Sequence, residues 1–262
     1  VKIMSELNLK NIAENLIETF NKASLASIEI YKKGLDIKIK EDNSPVSNGD
    51  IKVNEIITEK IKTLTPQIPI ISEETVNLNK KNQFKTFWLI DPIDGTKDYI
   101  SGKDEYTLNA ALIINYEPAL GLVSAPRKKK LFYSYGLGES YLINENKKEK
   151  LNCKKKTPKN EIIAVTSSSK PSQEILSILK KNGMTSFKEM RSSYKFCVIA
   201  NGEFDIYAAK ERAYEWDYAA GHAIAFHAGA VVTTLENIPF KYGKHNYKNL
   251  SLLIKRSNNL DD

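Results

Sequence analysis

Trp88-Leu89-Ile90-Asp91-Pro92-Ile93-Asp94-Gly95-Thr96 closes an apolar, β-prone run that begins at Phe87. Phe87 to Ile90 has the composition of a buried strand. The run then meets two carboxylates, a proline and a glycine. Pro92 has no backbone N–H to donate and Gly95 permits a sharp turn, so the strand is expected to end there. Asp91 and Asp94 would then lie at its carboxyl end, where their mutual repulsion rises with burial. A hard divalent cation such as Mg2+ relieves that repulsion through oxygen ligands. A bare D-x-x-D also fits a turn with a capping aspartate. On these nine residues alone both alternatives stand.

Other parts of the chain repeat the pattern. Pro69-Ile70-Ile71-Ser72-Glu73-Glu74 is a second short apolar strand ending in acids. Two strands thus deliver carboxylates at their carboxyl ends, the edge at which open α/β sheets bind ligands. Ser5 to Lys33 predicts one long amphipathic helix, with Ile12, Leu16, Ile17, Phe20, Ala23 and Ile30 near helical spacing. Gly34 ends it, and Asp36 to Lys40 alternates like a strand. Lys40 to Asp50 reads as a polar loop with turn chemistry throughout, entering a second amphipathic helix from Ile51 to Leu64. Asp50 stands where an N-cap belongs, which would account for it without catalysis.

After Thr96, the segment Lys97-Asp98-Tyr99-Ile100 predicts a short helix whose first turn, with Gly95 and Thr96, would favour a phosphate. Thr107 to Ile114, Ala119 to Ala125, Leu131 to Tyr135 and Tyr141 to Ile143 read as an antiparallel meander. Gly136-Leu137-Gly138 does not continue into a dinucleotide fingerprint. Residues 144–160 form a lysine-rich connection, a boundary between two lobes of about 1–145 and 160–262. Strands and helices alternate beyond it. In Trp216-Asp217-Tyr218-Ala219-Ala220-Gly221-His222 an aspartate opens a small-residue, apolar helix, as a cap or as part of a metal site. His222 and His227 read as packing or capping residues rather than ligands.

The chain has 262 residues, enough for one large domain or two small ones, and an ordinary soluble composition. It has no apolar run of the ~20 residues that span a bilayer and no signal-peptide segment near its start, so the expected location is the cytoplasm. Cys153 and Cys197 are far apart and fit neither a zinc ribbon nor a disulfide framework. The 39 basic and 32 acidic residues give a formal charge of +7. Much of that excess lies in lysine clusters such as Lys128-Lys129-Lys130, which read as solvated loops or as attraction for an anion. Few aromatics are interleaved with them, so a nucleic-acid groove is not indicated.

Three motifs in order, Ser72-Glu73-Glu74, Asp91 to Thr96 and Trp216 to Gly221, resemble the lithium-sensitive, Mg2+-dependent phosphomonoesterases of the inositol monophosphatase superfamily. Asp42 to Ser47, Gly95 to Ile100, Tyr106 to Ile113 and Ser192 to Cys197 are similar to the 3′(2′),5′-bisphosphate nucleotidases within it. The resemblance runs from about residue 9 to 240. It implies an α/β (α+β) fold, a single domain built as a layered αβαβα sandwich. It also implies removal of the 3′-phosphate from adenosine 3′,5′-bisphosphate, and from its sulfated form, in sulfur metabolism. Matched position by position, Glu73 (rather than Glu74), Asp91, the Ile93 carbonyl, Asp94 and Asp217 would hold two or three Mg2+. Asp50 and Thr96 would activate the attacking water, with Glu73 beside them. Ile93, Asp94, Gly95, Thr96 and Asp217 would face the substrate, with Ser192 and Lys195 gripping its nucleotide part. Five carboxylates (Asp50, Glu73, Asp91, Asp94, Asp217) brought together require cations.

Two departures from the family pattern stand out. Ala209 occupies the place of an arginine that many bacterial relatives carry ahead of Trp-Asp, with Lys210 or Arg212 as candidate substitutes, and Tyr218 replaces a common threonine. The alternatives are an inositol or sugar monophosphatase with the same metal chemistry, and a non-catalytic sensor of metal or nucleotide. Expected partners are a small nucleotide bisphosphate and no nucleic acid. Monomer and homodimer both stand as expectations, as does peripheral association with the inner membrane.

Overall fold

The computed structural model describes residues 7–78, 84–145, 147–154 and 161–260. Five layers, αβαβα, follow one another. The outer helices α1 (Leu9–Lys33) and α2 (Asn48–Leu64) cover one face of a seven-stranded sheet. That sheet runs β3 (Ile70–Ser72), β4 (Thr86–Asp94), β5 (Thr107–Ile114), β6 (Glu117–Ala125), β7 (Lys130–Ser134), β8 (Ser140–Asn144) and β9 (Lys147–Lys150), side by side in chain order. Only β3 and β4 are parallel; every later pair is antiparallel. The short helix α3 (Thr96–Ile100) follows β4.

The middle layer holds α5 (Tyr194–Ala200) and α6 (Glu215–His227). Beyond it lies a second sheet of β10 (Ile163–Thr166), β11 (Ser186–Glu189), β12 (Ile206–Ala209), β13 (Val231–Thr233) and β14 (Leu252–Lys255), in the order β11-β10-β12-β14-β13. α4 (Gln173–Lys181) covers its outer face. No helix among the described residues is long and apolar enough to cross a membrane.

The period-2 rule shows how the large sheet feeds two cores. Trp88 and Ile90 of β4, Leu108, Ala110 and Leu112 of β5, and Leu120 and Leu122 of β6 pack toward α1 and α2. Phe87, Leu89, Ala111, Ile113, Val123 and Ala125 pack toward α5 and α6. Asp91 shares the parity of Phe87 and Leu89, so it faces α6.

Several expectations are corrected. β4 does not stop before Asp91 but runs on to Asp94, because a bulge absorbs Pro92: Asp91 pairs with Asn109 and Asp94 with Thr107. Three steps along β4 thus oppose two along β5, one residue being extra. Pro45–Ser47 is a strand, β2, rather than loop, and pairs antiparallel with β1 (Ile37–Ile39). An edge strand tolerates the missing N–H of Pro45. Asp50 is not the N-cap of α2. Ser47 is, and Asp50 sits three positions on in a capping box. Part of the lysine-rich connection is also strand, since Lys147–Lys150 forms β9 at the sheet edge, where lysines discourage further pairing. The expected helix start at Ser5 and residues 155–160 of that connection lie outside the described residues.

Candidate active site

Backbone geometry alone converges four carboxylates. β3 and β4 are parallel, so their carboxyl ends point the same way, and the Glu73 amide donates to the Ile90 carbonyl at 3.1 Å. Glu73 therefore stands beside Asp91. The β4 bulge has the larger consequence. In a regular strand Asp91 and Asp94 would face opposite sides; the extra residue returns Asp94 to the face of Asp91, opposite Thr107 and Asn109. From across the interlayer space comes Asp217, in the first turn of α6, its Oδ2 accepting from the Tyr214 amide at 2.8 Å.

Carboxylate oxygens of Glu73, Asp91 and Asp217 lie within 4.8 Å of one another. Asp91 is buried and its Oδ1 has no hydrogen-bond partner among the described residues. Burial first, then Glu73, Asp94 and Asp217 as neighbouring charges, pushes the Asp91 carboxyl far above the ordinary range. Burial together with Asp94 and Glu73 does the same to Asp217. Asp94 is raised to about 6 by burial, with Lys195 opposing. Acids crowded this way, all offering oxygen, with one lone oxygen unsatisfied, fit a hard divalent cation such as Mg2+.

Asp50 lies apart from that cluster, joined to it through Thr96. The Thr96 hydroxyl reaches Asp50 Oδ1 at 3.0 Å and the Ile93 carbonyl at 3.1 Å, and its single proton serves one acceptor at a time. Asp50 Oδ2 accepts from the Ser47 amide at 2.8 Å and the Ser47 hydroxyl at 2.6 Å. Burial raises the Asp50 carboxyl despite these bonds. Gly95 turns the chain from β4 into α3 with φ at 91°, a left-handed conformation favouring glycine, and a Cβ there would come within 3.3 Å of the Glu105 carbonyl.

Beside the acids opens a cavity of about 330 Å³, walled by Asp94, Asp217, Ser192, Lys195, Tyr207 and Arg212 among others. Lys195 is buried; its ammonium donates to the Ser192 carbonyl at 2.6 Å and lies 5.3 Å from the centre of the Tyr207 ring. Ser192 itself has φ of 54°. Ser193, next in line, hydrogen-bonds Asn109 and Thr107 and so fixes α5 against the bulge.

Sequence reasoning missed Lys40. From the β1–β2 hairpin its ammonium reaches Glu73 at 3.1 Å and Glu74 at 2.9 Å. Glu74 is thereby held off the cluster, and burial brings its carboxyl to about 7. Nothing in the local pattern marks Lys40, since its partners lie more than thirty residues away. His222 and His227 are buried on α6 and share hydrogen bonds with Tyr242 and Ser134, each at 2.9 Å. The Tyr218 ring packs on Phe196, centroid distance 5.4 Å.

Known proteins resemble this chain over most of its length. The 3′(2′),5′-bisphosphate nucleotidase CysQ of Escherichia coli K12 is 34% identical over 220 residues, spanning 83% of this chain and 88% of that protein. Its counterpart in Buchnera aphidicola is 34% identical over 231 residues, 86% and 85% of the two chains. The crystal structure of CysQ from Bacteroides thetaiotaomicron, a bacterial member of the inositol monophosphatase family, superposes with a TM-score of 0.75 at 28% identity, covering 93% of this chain and 96% of that one. An IMPase/NADP phosphatase complexed with Mg2+ and phosphate shares the fold, with a TM-score of 0.75 at 17% identity over 95% and 92% of the chains. The profile of the inositol monophosphatase family matches residues 8–257, nearly the whole length, and the chain belongs to that family.

Proposed function

We propose that this protein is a Mg2+-dependent phosphomonoesterase that hydrolyses adenosine 3′,5′-bisphosphate to adenosine 5′-phosphate and inorganic phosphate. It would treat the 5′-phosphosulfate form alike, within the sulfur metabolism of the cytoplasm. The carrying observation is the adjacency of two opposite sites: the Glu73–Asp91–Asp217 cluster and, beside it, a cavity walled by Lys195 and Arg212. Acids can hold a cation and basic residues an anion, which is what a phosphate ester bound through a metal requires. Identity of 34% with CysQ nucleotidases over most of the chain supports the substrate.

Glu73, Asp91, Asp94, Asp217 and the Ile93 carbonyl would hold two or three Mg2+. When bound, the ions polarise the phosphate and lower the pKa of the attacking water. The chain's own residues supply the proton path and the grip. With its hydrogen turned to Asp50, the Thr96 hydroxyl offers a lone pair to the water. A proton passes from water to Thr96 as Thr96 passes its own to Asp50 Oδ1, a general-base relay. The water oxygen bonds to phosphorus as the phosphorus–O3′ bond breaks, the leaving oxygen takes a proton from solvent, and Asp50 returns its proton to solvent. Gly95 and Thr96 flank the scissile phosphate, and Ser192 and Lys195 border the nucleotide. The chain acts as a single domain of two lobes, about 1–145 and 160–262, with the site between them.

The test is phosphate release from adenosine 3′,5′-bisphosphate, inositol 1-phosphate and fructose 1,6-bisphosphate, each with Mg2+ and with chelator. Nucleotide-selective turnover that is lost in chelator and in Asp91→Asn is the expected result. Preference for inositol 1-phosphate or fructose 1,6-bisphosphate would overturn the substrate, and absence of turnover would leave a binder.

A further inference from the structure

Four basic side chains border the cavity beside the acid cluster or the connection that forms its rim, and three are already engaged. Arg191 pairs with Glu189 at 2.6 Å. Lys195 is committed to the Ser192 carbonyl and the Tyr207 ring. Lys210 pairs with Glu174 of α4, on the far side of β12 from the acids. Arg212 alone among them makes no ion pair or hydrogen bond with any described residue, although its charge is felt by both Asp94 and Asp217.

Its position is as distinctive as its lack of a partner. A second cavity, lined by Ser168, Lys170, Ser172 and Lys210, adjoins the first, and Arg212 and Ser167 line both. Arg212 therefore stands where the cavity beside the acid cluster meets a basic, hydroxyl-rich recess. Ala209, in the last position of β12, is buried and uncharged. That leaves the β12–α6 connection to supply a guanidinium three residues further on.

We infer that Arg212 is the specificity-determining cation of this enzyme, receiving the phosphate that is not cleaved. The inference rests on the bisphosphate function proposed above. A guanidinium offers a planar pair of N–H donors that matches two phosphate oxygens, a contact the Lys195 ammonium cannot make. Because the contact is remote from the breaking bond, it acts on binding. A substrate with the second phosphate gains from Arg212, and one without it does not.

The experiment compares adenosine 3′,5′-bisphosphate with adenosine 3′-phosphate in the wild-type protein, Arg212→Ala, Arg212→Lys and Lys210→Ala. Binding of the product adenosine 5′-phosphate is measured in parallel by calorimetry. Arg212→Ala should raise KM for the bisphosphate about 10- to 100-fold, the range for a hydrogen bond to a charged group, with kcat changed less than about twofold. KM for the 3′-monophosphate should stay within about twofold, and adenosine 5′-phosphate should bind correspondingly more weakly. Arg212→Lys should recover part of the loss, and Lys210→Ala should lose less on the bisphosphate than Arg212→Ala. Equal losses on both substrates, or a bisphosphate-selective loss in Lys210→Ala instead, would overturn the role of Arg212 while leaving the nucleotidase intact. Failure of the wild-type protein to hydrolyse either nucleotide would instead remove the substrate assignment, and the role of Arg212 with it.

Discussion

Asp91 is an acid whose charged form the metal-free protein disfavours. Its Oδ1 is buried with no hydrogen-bond partner among the described residues, and Glu73, Asp94 and Asp217 all oppose its ionisation. Such a residue is expected to be worth more to catalysis than to stability, since the fold must tolerate it whenever no cation is bound. Asparagine has the same shape, no charge, and two N–H groups to offer the neighbouring acids. In chelator, Asp91→Asn should therefore be more stable than wild type by about 1–3 kcal/mol, the usual cost of an unsatisfied buried polar group. For a chain of this size that is a rise in Tm of about 3–10 °C. Thermal unfolding with and without Mg2+ separates the two roles: the wild type should gain stability from the ion and the variant should not. A lower Tm for the variant in chelator would show that Asp91 is a structural residue.

Among elements, α6 decides how closely the two sheets approach. Its run of Ala219, Ala220 and Ala223 lets the helix lie against β6, where Gly121 completes the fit: a Cβ on Gly121 would come within 2.5 Å of the Ala220 carbonyl and 2.8 Å of the Ala223 methyl. The Ala220 backbone and the short, stiff Ala223 side chain give little room to yield. Gly121→Ala should cost about 1–3 kcal/mol by overpacking and, by displacing the helix that carries Asp217, should also weaken activation by Mg2+. A variant with unchanged Tm and unchanged Mg2+ dependence would show that α6 does not set the site. The same level shows what is readable in the sequence. The apolar, β-prone runs Phe87 to Ile90 and Thr107 to Ile114 identify strands, because a strand buried on both faces sends apolar side chains into a core on either side. The bulge at Pro92 does not declare itself, since Asp-Pro-Ile-Asp-Gly has the chemistry of a turn and only pairing with Asn109 and Thr107 keeps it in the ladder. Lys147–Lys150 likewise reads as solvated loop, its strand character arising entirely from β8. Asp91 and Asp94 were legible as acids that either cap a turn or need a cation. Lys40, and the lack of a partner for Arg212 among the described residues, were not, being products of the tertiary fold.

At the scale of the whole molecule, the middle layer makes stability depend on pH through its histidines. His222 faces Tyr242, Phe226 and Phe240, with Lys244 and His227 as the charges that oppose its protonation; the Lys244 ammonium itself sits on Glu215 at 2.7 Å. His227 is held by Ser134 of β7 and the Pro118 carbonyl of β6. Burial depresses His222 to about 3 and His227 to about 4, against an ordinary 6.5 in the unfolded chain. Below pH 6.5 the unfolded chain therefore binds protons that the folded one refuses, so their contribution is complete above that pH and is lost as pH falls toward 4. Each histidine should steepen the loss by up to about 1.4 kcal/mol per pH unit within that window. Measured with Mg2+ present, Tm should be flat with respect to these groups from pH 8 to 7 and fall progressively from 6.5 to 5. His227→Asn, which keeps a polar group within reach of Ser134, should make that fall shallower by about one proton's worth. An unchanged slope would mean that His227 already carries its proton in the folded protein, and that the space between the two sheets is wetter than its packing implies.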